Sequence, residues 1–77
     1  MEHITAKVSG IQFQNRHTGF YVLKAVLDGG SRQITIRGTF PGVSILTGLK
    51  AKFNGGYEVH EKFGKQFNAT ECEVIPE

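Results

Sequence analysis

The run Ile4-Thr5-Ala6-Lys7-Val8-Ser9-Gly10-Ile11-Gln12-Phe13 decides the fold. Ile4, Ala6 and Val8 alternate with Thr5, Lys7 and Ser9, the two-residue period of a half-buried strand. Ile11 and Phe13 continue the apolar series one position out of step. The slip falls at Ser9-Gly10, where an extra residue resets the period and glycine tolerates the geometry, so a bulge or sharp bend is expected there. A long first strand bent at a glycine lets a small barrel carry one strand from one side to the other.

Outward from this run, strands and turn signals alternate. Gln14 to Gly19 reads as a polar turn, and Phe20 to Leu27 as a second strand, apolar on both faces except at Lys24. Asp28-Gly29-Gly30-Ser31 is a hairpin signal. In the third strand, Arg32 to Phe40, Ile34, Ile36 and Phe40 share one face with Gly38, while Gln33, Thr35, Arg37 and Thr39 share the other. The connection from Pro41 to Gly48 has room for one short helical turn. A fourth strand starts at Leu49 with Ala51 and Phe53 facing in, breaks at Gly55-Gly56 and resumes through Tyr57, Val59 and Glu61. Phe63-Gly64 makes the last hairpin, and Gln66 to Ile75 the fifth strand. No segment holds a helical period, so the chain is all-β. A small five-stranded OB-like barrel is expected, and an SH3-like barrel fits the same periodicity.

The 77 residues suffice for one domain, taken as 1–77. A domain of this size buries only about 60% of the surface its unfolded chain exposes, which leaves little room for an internal active-site cavity. The hydrophobic and charged fractions, 39% and 21%, are those of a globular chain. The net charge of +2 permits nucleic-acid contact without demanding it. Cys72 is the one cysteine, so neither an internal disulfide nor a cysteine zinc site can form within the chain. Strand-like sequence begins directly after Met1-Glu2-His3, and no apolar run approaches the roughly 20 residues of a membrane helix. A cytoplasmic protein with no signal peptide and no membrane partner is expected.

The phosphate-cradling GxxxxGK[ST] loop is absent. His3, His17 and His60 lack metal-ligand spacing and read as solvated. With no nucleophile, base and orienter set, a non-enzymatic chain is expected. The candidates are therefore surfaces. OB barrels take oligonucleotides on the outer face of strands 2 and 3, flanked by the loops between strands 1 and 2 and between strands 4 and 5. Strand 3 offers Gln33, Thr35 and Arg37 there, and strand 2 either its Tyr21/Leu23 face or its Phe20/Val22/Lys24 face. Arg16, Arg37, Lys62 and Lys65 are the candidates for neutralising phosphates, and Tyr57 and Phe63 for stacking on bases. Phe13, Phe20, Phe40, Phe53 and Phe67 are assigned to the core, because aromatics dominate small interiors. The two-sided apolarity of strand 2 also predicts an outer face covered by a partner or a neighbouring domain.

Two motifs carry a resemblance. Phe13-x-Asn15-x-x-Thr18-Gly19-Phe20-x-Val22, then Gly38, then His60-x-x-Phe63-Gly64-x-Gln66-Phe67 resembles the N-terminal OB-like domain of RecD-like ATP-dependent DNA helicases, the exodeoxyribonuclease V alpha subunit family. The likeness runs from about Ile4 to Pro76. One departure is Tyr57, where that family commonly has tryptophan. The resemblance implies a parent that unwinds DNA 5′-to-3′ in repair and recombination, using ATP and Mg²⁺ in RecA-like domains downstream. Val74-Ile75-Pro76-Glu77 then reads as a boundary just after the last strand. The expected partners are those downstream domains, single-stranded DNA and other repair proteins. The expected role is an accessory domain docking on the helicase body or a partner protein, with direct single-strand binding as the alternative.

Overall fold

The computed structural model describes residues 2–62 and 64–76. Five strands run through them: β1 (Glu2–Asn15), β2 (Phe20–Leu27), β3 (Gln33–Thr39), β4 (Lys50–His60) and β5 (Gly64–Val74). They close a barrel in the order β1-β2-β3-β5-β4. β3 lies parallel to β5 over Thr35–Gly38 and Gln66–Ala69, and the other neighbours are antiparallel. A parallel pair needs a crossover, and β4 on the far side supplies it. This is the OB-like order and not an SH3-like chain of successive hairpins.

The long first strand bends as its sequence predicts. Its register on β2 slips between Val8 and Gly10. Before the slip β1 pairs with β4, from Glu2 to Lys7, and after it only with β2. A second slip, between Ile11 and Phe13, has no glycine to announce it. It leaves Ile11 packed on the core and turns Phe13 outward, 52% exposed. Phe13 is therefore not a core residue, and neither is Phe20, which sits half-buried on the outside of β2.

The interior alternates large and small side chains, as a tapering barrel requires. Phe40, Phe53, Phe67, Leu23 and Ile36 fill it, and Ala6, Ala25, Ala51 and Ala69 let facing strands approach. Phe40 meets Phe53 at 6.0 Å and Tyr21 at 6.2 Å between ring centroids. The connection from β3 to β4 contains no helical turn. Ile45, 2% exposed, plugs the barrel end instead, and the Tyr21 hydroxyl donates to the Val43 carbonyl at 3.1 Å to hold the connection down. β4 is unbroken through Gly55-Gly56. The irregularity there is a register slip opposite Thr70, which leaves both strands continuous.

Two inward glycines permit the closure. A Cβ on Gly38 would run into the Ala69 carbonyl oxygen and the Phe40 ring, and one on Gly55 into the Asn68 carbonyl oxygen. Both obstacles on β5 are backbone, which cannot swing aside. Gly38→Ala and Gly55→Ala are each expected to cost about 1–3 kcal/mol, the usual range for overpacking a tight interior. Gly56→Ala, with open space around the added methyl, should be neutral or stabilise by about 0.4–1 kcal/mol. Urea midpoints for the three variants check this, and equal midpoints would refute the close approach. Burial also raises the Cys72 thiol from 9.0 to about 11. The folded state thus favours the protonated thiol, and its contribution to stability is full below about 9 and lost as pH rises toward 11. At pH near 8 a disulfide reagent should label Cys72 more slowly in the folded chain than in urea, where the thiol returns to its ordinary range.

Candidate nucleic-acid interface

The first turn is built by short polar side chains. Asn15 Oδ1 accepts from the backbone N–H groups of His17 at 2.9 Å and Thr18 at 3.3 Å, an Asx turn. Thr18 Oγ1 accepts from the Phe20 N–H at 3.3 Å. Gly19 has φ +80° and lies so close to Pro41 that a Cβ would stand 2.8 Å from the proline nitrogen. Its carbonyl takes the Phe40 N–H at 2.8 Å. The Asn-x-x-Thr-Gly-Phe motif thus fixes the direction in which Phe20 leaves the turn.

That direction is outward. Pairing places Phe13 opposite Val22, Val22 opposite Arg37, and Lys24 opposite Thr35. Tyr21, Leu23 and Ala25 point into the core, so the outer face of β2 is the Phe20/Val22/Lys24 face. The Phe13 and Phe20 rings are 5.9 Å apart and tilted by 56°. The Arg37 guanidinium lies over Phe20, 5.9 Å from its centroid, and Lys24 Nζ donates to Thr35 Oγ1 at 2.7 Å. Arg37 and Lys24 are therefore held in place before any ligand arrives.

The end of the β4–β5 hairpin leans over this face. His60, Gln66, Arg37, Val22 and Gln12 line one cleft of about 330 Å³. His60 Nδ1 accepts the Lys62 N–H at 3.2 Å across the turn, and Gly64, with φ +73°, starts the return strand. Among the described residues no carboxylate lines the cleft. The nearest on the pairing map is Glu58, opposite Gln66, and its Oε1 accepts from Asn68 Nδ2 at 3.2 Å.

Of the six residues singled out from sequence, the five described do not converge on one spot. Arg37 lies in the cleft. Tyr57 and Lys65 form a separate pair, the Lys65 ammonium 4.3 Å from the Tyr57 centroid, in a second hollow with Lys24 and Arg32. Arg16 lines a third hollow at the plugged barrel end, with Gln14, Val43 and Leu46. Lys62 is exposed at the last turn, and Phe63 lies outside the described residues. Sequence reasoning missed Phe13 and Gln12 because the second bulge carries no turn residue. Among the described residues no group of three or more His, Cys, Asp or Glu gathers as a metal site would need.

An outward aromatic pair under a guanidinium, on the β2–β3 face of a barrel closed in this order, is an arrangement suited to oligonucleotides. No curated protein and no solved structure matches the chain. The family model for the OB-fold domain of the ATP-dependent DNA helicase YrrC matches residues 1–77. The chain belongs to that family of helicase OB-fold domains.

Proposed function

We propose that this barrel is a non-catalytic accessory domain of a RecD-like 5′-to-3′ helicase of DNA repair and recombination, and that it holds single-stranded DNA on the outer face of β2 and β3. One observation carries the reading: the Arg37 guanidinium lies over Phe20, next to the half-exposed Phe13, and itself lines a cleft that holds no carboxylate among the described residues. A base stacks on Phe13, and Arg37 meets the phosphate beside it. Both contacts are indifferent to sequence, because every base has a π-face and every nucleotide a phosphate. ATP and Mg²⁺ belong to RecA-like domains of the parent. This barrel does not fit them: it has no glycine-rich phosphate loop, and no helix among its described residues to open behind one.

A second reading, docking on the helicase body or a partner repair protein, rests on a different surface. Leu46 and Val74, 66% and 37% exposed, flank a hollow with Leu49, Ile75 and Pro76. Among the described residues it shares no lining residue with the Arg37 cleft. The outer face of β2, by contrast, is ringed by Lys24, Thr35 and Arg37 and is not the uniformly apolar surface a docking face would present.

Anisotropy of a labelled single strand of about 15 nucleotides, within the range OB folds occupy, tests the first reading. Micromolar binding is expected, weakening with salt at a log–log slope of about 0.7 per phosphate contact. Phe13→Ala should cost about 1–3 kcal/mol and leave the slope unchanged. Arg37→Ala should lower the slope by about 0.7. No binding at low salt would remove DNA from the β2–β3 face and leave docking.

A further inference from the structure

The second hollow lies where β3 and β5 have parted. Their pairing covers only Thr35–Gly38 and Gln66–Ala69, so Gln33 and Ile34 on one side and Gly64 and Lys65 on the other lie beyond the paired seam. The gap opens into a hollow of about 440 Å³ with Lys24, Arg32, Gln33, Thr35, Tyr57 and Lys65 on its walls. Among the described residues no carboxylate lines it. The Tyr57 ring stands nearly perpendicular to the buried Phe67, 82° between planes and 5.1 Å between centroids. Phe67 thus packs against the ring, and the Lys65 ammonium lies over its face, 4.3 Å from the centroid. Lys24 is already fixed on the rim by its bond to Thr35.

We propose that this hollow is a second nucleotide-binding station, in which the DNA strand that crosses Phe13 and Arg37 continues through the split seam. A base takes the face of Tyr57. Lys65 swings from the ring to the phosphate, joined by Arg32 and Lys24. The three cations suit a phosphodiester, the aromatic face suits a base, and the volume holds a nucleotide. Lys24 and Thr35 on the wall of this hollow stand two residues along β2 and β3 from Val22 and Arg37, which line the first, so the path between the two hollows runs along the outer face of β2 and β3. The station rests on the reading of the β2–β3 face as a single-strand surface, and it is tested apart from it.

The full chain, isotope-labelled for NMR, is titrated with an oligothymidylate of about eight nucleotides, inside the OB-fold range. Shifts are expected both at Phe13, Phe20 and Arg37 and at Arg32, Tyr57 and Lys65. Shifts at the first set alone overturn the second station and leave the face intact. Shifts at the second set alone uphold the station and overturn the face, and shifts at neither overturn both. Arg32→Ala with Lys65→Ala, two exposed residues whose loss should not unfold the barrel, should lower the salt slope by about 1.4 at about 0.7 per contact. An unchanged slope in that double variant would overturn the station.

Discussion

The barrel closes through a seam four residues long on each strand, Thr35–Gly38 of β3 against Gln66–Ala69 of β5. At Gly38 the backbone of β5 comes so near that no side chain fits between. Gly55 does the same on the other flank of β5. The strand that closes the barrel is thus gripped from both sides by positions without a Cβ. Phe53 and Phe67 are fully buried because those walls are close enough to enclose them. The brevity of the seam matters equally, since beyond Thr35 the strands separate and expose Tyr57 and its neighbours.

The outer surface takes its chemistry from where the first strand slips. At Ser9-Gly10 β1 leaves β4 and continues on β2 alone, and the slip at Gln12 then turns Phe13 from the interior to the surface. Without the second slip Phe13 would compete with Ile11 and Tyr21 for a barrel end that Ile45 already fills. With it, Phe13 joins Phe20 and Arg37 outside. One added residue converts a core aromatic into a surface one and costs a local break in the ladder.

The strands were legible in the sequence because alternation and turn residues are local signals. Phe20 to Leu27 coincides with β2, the Asp28-Gly29-Gly30 turn holds, and Gly38 faces inward as its position on the third strand requires. The misreadings have a common cause. Hydrophobicity alone does not distinguish an aromatic that fills a core from one on the outer face, so the sequence groups Phe13 and Phe20 with Phe40, Phe53 and Phe67. Ile45 and Leu46 are neighbours of equal hydrophobicity, yet one is 2% exposed and the other 66%. Their difference is set by Tyr21 reaching across the barrel to Val43, a contact separated by 22 residues along the chain. Among the cations, Arg37 was legible from strand parity, whereas the partnership of Lys65 with Tyr57 depends on how the last hairpin folds back.

Gly19 belongs to two loops at once. It sits in the turn after β1, its carbonyl accepts from Phe40, and its α-carbon abuts Pro41 at the start of the connection after β3. The turn that aims Phe20 and the segment that plugs the barrel with Ile45 are therefore one mechanical body. The two ends of that link, the plug and the aromatic face, are joined backbone to backbone and not through the side chains of the core. A substitution at Gly19 would therefore disturb both loops together, the plug of the barrel's end and the aromatic face on its side.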